Sequence, residues 1–308
     1  MESSCSKCNE PAVYFRRYTA EMLCRGCLIN TSLDRVRRAI NKNQMFRDDD
    51  RIAVAISGGK DSAVLFDVLY RIETAYPQAE ILPFTIDEGI SGYRDKALEA
   101  AKKLVKSRGM QLEVRTFREY FGYTLDEIVS QKSGSAFGAC SYCGVLRRRA
   151  MNDAALELGA DVVATGHILD DESQTVIMNI MRGDSTRLAR NNRSRDQPIP
   201  GFIPRVKPIM ELTERDIVAY THNLDLPYHD VPCPYAAEAY RNDIRLFLNE
   251  MEFKRPGTLL AILHSAETIS EALQGFKDGT PIMKCEKCGS PSSKRLCKTC
   301  SLLEELQG

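Results

Sequence analysis

The sequence predicts an α/β protein whose mostly parallel sheet is covered by helices on both faces and flanked by a cysteine knuckle at each terminus. Three observations predict it. From Arg51 onward, short apolar runs alternate with segments of helical periodicity, the pattern of strands joined through crossover helices. The turn after the first run carries two glycines between hydroxyls, Ser57-Gly58-Gly59-Lys60-Asp61-Ser62. Paired CxxC units stand near both ends, a spacing that holds a structural metal.

The elements follow in order. Cys5-x₂-Cys8-x₁₅-Cys24-x₂-Cys27 lets two tight turns present four thiolates tetrahedrally to Zn²⁺, and a full Cys₄ shell leaves no open position for chemistry. Residues 32–46 read as a basic amphipathic helix. Residues 51–56 suit a buried parallel strand, and Val64, Leu65, Val68, Leu69 and Ile72 give residues 61–73 a helical stripe. A glycine turn at such a junction brings backbone N–H groups and the positive helix end to an anion. Lys60 adds a point cation, while Asp61 holds Mg²⁺ or fixes the loop. Strands at Ile81–Ile86, Gln111–Thr116 and Asp161–Thr165 alternate with helices near Asp95–Arg108, after Cys143 and from Glu172. Ligands of such sheets sit at the carboxyl ends of the strands. That rule gathers Ser57–Ser62, Asp87-Glu88-Gly89 and Gly166-His167-Ile168-Leu169-Asp170-Asp171 at one edge. Paired carboxylates there suit Mg²⁺ beside phosphate, although helix capping explains Asp170-Asp171 alone; His167 alone reads as a packing residue. Further helices are expected at Thr213–Asn223, Ala239–Glu252 and Leu259–Leu273.

Composition narrows the function. Lys+Arg and Asp+Glu are equal at 42 each, so a nucleic-acid face must be local. No apolar run approaches the ~20 residues of a membrane helix. The opening Met-Glu-Ser-Ser-Cys-Ser-Lys-Cys lacks the charged and apolar regions of a signal peptide, so a cytosolic chain is expected. Its 11 cysteines then call for chemistry other than disulfides. Cys140, Cys143 and Cys233 form an unpaired middle group. Cys140-Ser-Tyr-Cys143 follows a flexible stretch from Lys132 and precedes Arg147, Arg148 and Arg149, whereas Cys233 is fixed between prolines. Three thiolates suit either a [4Fe–4S] cluster with one open iron or a relay of persulfide and resolving thiol. Cations near Cys143 favour thiolates in both cases. Residues 182–207 hold seven cations and two acids and are read as a phosphate-backbone contact. The same guess applies to Lys284, Lys287, Lys294, Arg295 and Lys298, interleaved with Cys285-x₂-Cys288-x₈-Cys297-x₂-Cys300.

Ser-Gly-Gly-Lys-Asp-Ser at a strand–helix junction resembles the PP-loop of ATP pyrophosphatases, which implies an adenine nucleotide alpha hydrolase-like fold. The ordered series of knuckle, PP-loop, CxxC, Gly-His-x-x-Asp-Asp, Pro-Cys-Pro and second knuckle resembles the archaeal and eukaryotic cytosolic tRNA 2-thiolation proteins over the whole chain. Ile168 departs from that pattern, which has Asn there. The resemblance implies domains at 1–32 (zinc knuckle), 33–280 (catalytic) and 281–308 (zinc ribbon). It implies that ATP adenylates O2 of a tRNA uridine and that sulfur displaces AMP. Cys140, Cys143 and Cys233 would hold the [4Fe–4S] cluster. Ser57, Gly58, Gly59, Lys60, Asp61 and Ser62 would hold phosphates, with Ala55, Ile86, Gly166, His167, Asp170 and Asp171 around ATP and Mg²⁺. Lys60, Asp61, Arg147 and Asp171 join the three cysteines as the catalytic set, with Arg147 beside uridine or AMP. Two Zn²⁺, a homodimer, and a sulfur donor that is either a thiocarboxylated ubiquitin-like protein or sulfide are also implied. The substrate is expected to be wobble uridine 34, the alternative being uridine 54. Competing readings are an amidating or lysidine-forming ligase and a non-catalytic RNA-binding protein that senses nucleotide.

Overall fold

The computed structural model describes residues 3–131, 138–189, 195, 201–235, 239–273 and 282–306. The segment 132–137, expected to be flexible, and Arg190 and Arg193 of the basic run lie outside the described residues. A five-stranded parallel sheet forms the centre: β3 (Arg51–Ala55), β4 (Glu80–Asp87), β5 (Glu113–Thr116), β6 (Val162–Ala164) and β7 (Arg205–Val206), in the order β5-β4-β3-β6-β7. Ile52 is in register with Ile81 on one side and Val162 on the other. The chain steps outward from β3 through β4 to β5, then returns past β3 to β6. The crevice beyond the carboxyl end of β3 is thus the switch point where such sheets bind ligands.

The alternation of β3 side chains explains its continuous apolar run. Ile52, Val54 and Ile56 enter a core with α1 (Arg25–Lys42), α2 (Lys60–Glu73), α3 (Arg94–Lys106) and α9 (Glu214–Leu224). Ala53 faces the opposite core, with α4 (Phe117–Phe121), α5 (Leu125–Gln131) and α6 (Ala139–Glu157). A strand covered on both faces needs no polar alternation. Helix α2 is buried over most of its length, from Ser62 through Leu69. Each of Leu65, Phe66 and Leu69 contributes about 1.5–3 kcal/mol through burial. Helix α7 (Leu169–Met181) and the short α8 (Ser185–Ala189) follow β6, and α10 (Ala239–Lys254) and α11 (Thr258–Ala272) close over α7.

Three helices begin earlier than their periodicity predicts. Helix α1 starts at Arg25 because Cys24 caps it, its Sγ accepting from Cys27 N at 3.4 Å; it then runs unbroken past residue 32. Helix α6 starts at Ala139, so Cys140 and Cys143 share one face of its first turn. Helix α7 starts at Leu169, which puts Asp170 and Asp171 in its first turn rather than in a loop. Helices α4, α5 and α8 and the edge strand β7 were not expected.

The N-terminal knuckle adds a hairpin of β1 (Tyr14–Arg16) and β2 (Glu21–Leu23). Arg16 is buried, donating from Nε to Asp216 Oδ1 at 2.8 Å and to Thr31 and Ser32. Asp216 also accepts from Tyr18 at 2.7 Å and from the Thr213 hydroxyl at 2.9 Å, completing the cap of α9. Asp216→Ala strands a buried guanidinium, which costs about 3–5 kcal/mol. Thermal denaturation will show a midpoint lowered by roughly 10 °C; a shift within a degree contradicts the strut. The C-terminal knuckle, with β8 (Met283–Lys284), β9 (Pro291–Ser292) and α12 (Lys298–Glu304), rests on α6 through Leu302 and the Tyr142–Glu305 hydrogen bond of 3.2 Å.

Candidate active site

The loop between β3 and α2 is closed by its own hydroxyls. Ser62 Oγ accepts from Ser57 N at 3.2 Å and donates to Gly59 O at 2.9 Å, while Gly59 N donates to Ser57 Oγ at 3.3 Å. Gly58 has φ +91°, and a Cβ there would lie 2.2 Å from Ala97 O, so only glycine fits. No side chain caps α2 at Gly59, leaving the first-turn N–H groups free for an anion. A Cβ on Gly166 would lie 3.2 Å from Ser62 N, so the second loop lies directly against the first. Ala55 and Ile86 stand near the carboxyl ends of β3 and β4.

Beside these loops opens a cleft of about 530 Å³ lined by Lys60, Asp61, Asp170, Asp171, Glu214, Cys233 and Arg241 among others. Lys60 Nζ lies 3.3 Å from Asp61 and 3.1 Å from Glu214. Burial opposes the Lys60 charge, yet these two carboxylates hold its proton affinity above the ordinary value. Burial raises Asp61, against Lys60 and with help from Asp171. Burial also pushes Asp170 up to about 6, although its carboxylate accepts from Glu214 N at 2.8 Å. Arg241 Nη2 pairs with Asp171 at 3.1 Å, and its Nε donates to Gln174 at 2.9 Å. Asp61 Oδ1 is buried and meets the Lys60 ammonium at 3.3 Å without a well-directed hydrogen bond, an under-satisfied acceptor among acids that suits Mg²⁺ chemistry. His167 turns instead to Thr165 Oγ1 at 3.0 Å and is not among the residues lining the cleft.

The middle cysteines adjoin the same cleft. Cys143 is buried and accepts from Arg147 Nη2 at 3.0 Å, while Cys140 Sγ donates to Tyr235 O at 3.0 Å. Cys233 packs into the same apolar cluster as Cys143 and also lines the cleft. The expected activation by arginine is outweighed at Cys143. Burial pushes its thiol up to about 11 despite Arg147, with Glu88 and Cys233 raising it further. Arg148 and Arg205 have no acidic partner among the described residues, and Arg205 is held below its ordinary value by desolvation and by Arg148. Arg149 pairs with Asp153. Within the basic run, Arg195 is committed to buried Asp50 and Lys207 to Glu172, so these two serve the fold rather than a solvated face.

Both terminal cysteine groups fit a tetrahedral ion. Among the described residues, Cys5, Cys8, Cys24 and Cys27 bring their sulfurs within 4.8 Å of one another, as do Cys285, Cys288, Cys297 and Cys300. Individual separations are 3.5 Å (Cys8–Cys24) and 3.7 Å (Cys288–Cys297), close to the ~3.8 Å that tetrahedral Zn–S bonds impose. Backbone N–H groups of Lys7, Cys27, Cys297 and Cys300 point at these sulfurs, which favours thiolates. The middle three do not form such a group.

Sequence reasoning missed Glu88, Arg94, Glu214 and Arg241. Asp87-Glu88-Gly89 was placed at the ligand edge but given no role. The other three carry no local motif.

Residues 31–252 match the PP-loop domain family. The chain is 40% identical over 305 residues to the cytoplasmic tRNA 2-thiolation protein 1 of Drosophila willistoni, covering 98% of this chain and 87% of that protein. The Drosophila melanogaster protein of the same name is 38% identical, with the same coverage. Among solved structures, U34-tRNA thiolase NcsA from Methanococcus maripaludis with its [4Fe-4S] cluster superposes with a TM-score of 0.84 at 31% identity, covering 98% of this chain and 96% of that one. With a PP-loop domain at its centre and this likeness along nearly its whole length, the chain belongs to the family of cytoplasmic tRNA 2-thiolation proteins.

Proposed function

We propose that this protein is a cytoplasmic, ATP-dependent sulfurtransferase that converts uridine 34 of tRNA to 2-thiouridine. One observation carries the reading: Lys60, Asp61 and Cys233 line a single cleft, with the Cys143–Arg147 pair beside it. Activation by nucleotide and delivery of sulfur then need no movement of the substrate base between sites.

In this reading uridine O2 attacks the α-phosphorus of ATP, and pyrophosphate leaves. The first turn of α2 and Lys60 neutralise phosphate charge, while Ser57–Ser62 wrap the phosphates and Asp61 and Asp171 would hold Mg²⁺. Adenylation turns O2 into a leaving group. A sulfur nucleophile at the sulfide level adds to C2, the C2–O2 bond breaks, and AMP departs with the oxygen, so no external oxidant or reductant is consumed. Cys140, Cys143 and Cys233 would hold a [4Fe–4S] cluster, which when bound supplies an open iron for sulfur. Arg147 faces this exchange and steadies the anionic AMP. The terminal knuckles, 1–32 and 281–308, each hold one Zn²⁺ around the catalytic span 33–280, and the working form is a homodimer. Sulfur enters from a ubiquitin-like thiocarboxylate or from sulfide. Arg148 and Arg205, lacking acidic partners among the described residues, suit tRNA phosphates.

Transcripts test the substrate assignment. A tRNA with uridine 54 replaced and the anticodon stem-loop intact will accept sulfur, and one with uridine 34 replaced will not. Nucleoside mass spectrometry reads the product; the reverse pattern moves the assignment to the T-loop.

A further inference from the structure

Glu88 joins the two halves of the site. Its carboxylate is buried at the carboxyl end of β4. Its backbone is also fixed, because Leu125 N donates to Glu88 O at 2.7 Å. The two carboxylate oxygens face different arginines. Oε2 lies 3.1 Å from Arg94 Nε, and Oε1 lies 2.7 Å from Arg147 Nε. Arg94 is itself buried and donates to the backbone oxygens of Ser57 and Ile86 and to the Thr85 hydroxyl. Arg147 donates onward to Cys143 Sγ at 3.0 Å. A continuous series of contacts therefore runs from the Ser57 carbonyl of the nucleotide loop, through Arg94, Glu88 and Arg147, to the cysteine helix.

The two arginines depend on Glu88 unequally. Arg94 has three oxygen acceptors without it. Arg147 is about half-exposed, and its polar contacts among the described residues are Glu88 and Cys143. A counter-ion serving Arg94 alone has no need to turn its second oxygen to an exposed arginine on another helix. The planar guanidinium lets Arg147 grip carboxylate and sulfur together, which a lysine ammonium does with far less directionality.

We propose that Glu88 is a positioning residue that sets the distance between the nucleotide loop and the sulfur-bearing cysteines, so that adenylation of the base leads on to sulfur transfer. The proposal rests on the functional reading above. Misplacing reacting groups by about an ångström costs up to about a hundredfold, and here the loss falls on the second step alone.

The experiment uses the full chain, purified anaerobically with its iron, and takes two readings. One is thiouridine formed per pyrophosphate released with tRNA. The other is hydrogen exchange in residues 139–149 with and without an unreactive ATP analogue. The parent is expected to give a ratio near one and to gain protection when the analogue binds. Glu88→Gln is expected to keep its iron and near-parent pyrophosphate release, with a melting temperature lowered by several degrees because buried Arg94 loses its charge partner. Its ratio should fall about 10- to 100-fold, and the protection at 139–149 should not respond. Parent-like behaviour in either reading overturns the proposal. If Glu88→Gln fails to fold, Arg147→Lys is read by hydrogen exchange alone: protection at 139–149 that no longer responds to the analogue supports the coupling, and a parent-like response overturns it. A parent chain that releases no pyrophosphate with tRNA overturns the functional reading itself, and this proposal with it.

Discussion

Lys60→Ala and Asp61→Ala will each stop tRNA-dependent pyrophosphate release, lowering it by at least about 10²- to 10³-fold. Lys60 is the cation nearest the nucleotide loop in a cleft crowded with acids: Asp61 at 3.3 Å, Glu214 at 3.1 Å, and Asp170 and Asp171 in the first turn of α7. Without it, a polyphosphate meets these carboxylates with Arg241, Arg245 and the helix end in opposition, and Arg241 is already paired with Asp171. Losing Asp61 removes a buried carboxylate oxygen whose contact is the Lys60 ammonium, and with it the proposed place for Mg²⁺. Neither side chain is a core element, since the apolar packing of α2 begins beyond them. Circular dichroism and melting temperature should therefore stay near the parent values while a coupled pyrophosphate assay goes silent. Turnover at the parent rate in either variant removes both residues from the mechanism.

Replacing Cys140, Cys143 or Cys233 by serine will strip iron and leave zinc. Protein prepared without oxygen is expected to carry about four iron atoms and about two zinc ions per chain. Each serine variant should fall below about one iron while keeping both zincs, because the terminal groups close with their own sulfurs 3.5–3.7 Å apart. Thiolation should be lost with the iron. Cys143 is the most sensitive of the three: it is buried in the apolar cluster and bonded to Arg147, so serine there also leaves that arginine a poorer partner. Elemental analysis decides the matter. A parent chain fully active with no iron assigns the three thiols to a persulfide relay.

The sheet and its switch point were legible because their signals are local. A short apolar run, a glycine turn and a periodic helix lie within about twenty consecutive residues from Arg51, and CxxC pairs show a metal knuckle by spacing alone. Helix starts were harder for an instructive reason. In α1, α6 and α7 the first turn is made of Cys24–Cys27, Cys140–Cys143 and Asp170–Asp171, residues that read as loop motifs because their chemistry stands out. Glu88, Arg94, Glu214 and Arg241 left no pattern to find. Each is an ordinary charged residue outside any local motif, and Glu88, Glu214 and Arg241 are placed by partners far away in the chain, as with Arg241 and Asp171, 70 positions apart. Within the basic run Arg195 misled in the same way, since Asp50 claims it from 145 positions upstream.

The strut between Arg16 and Asp216 spans 200 positions, and the Tyr142–Glu305 bond spans 163. The thiols of the N-terminal knuckle meet across only 16 to 19. Synthesis on the ribosome is vectorial, and local contacts close before distant ones. The first knuckle can therefore take up its metal within moments of emerging, yet it has no dock until α9 has left the exit tunnel. The helix bearing Cys140 and Cys143 waits longer still, first for Cys233 and then for the tail that supports Tyr142. The three middle thiols can thus meet only after the four of the first knuckle have had time to close.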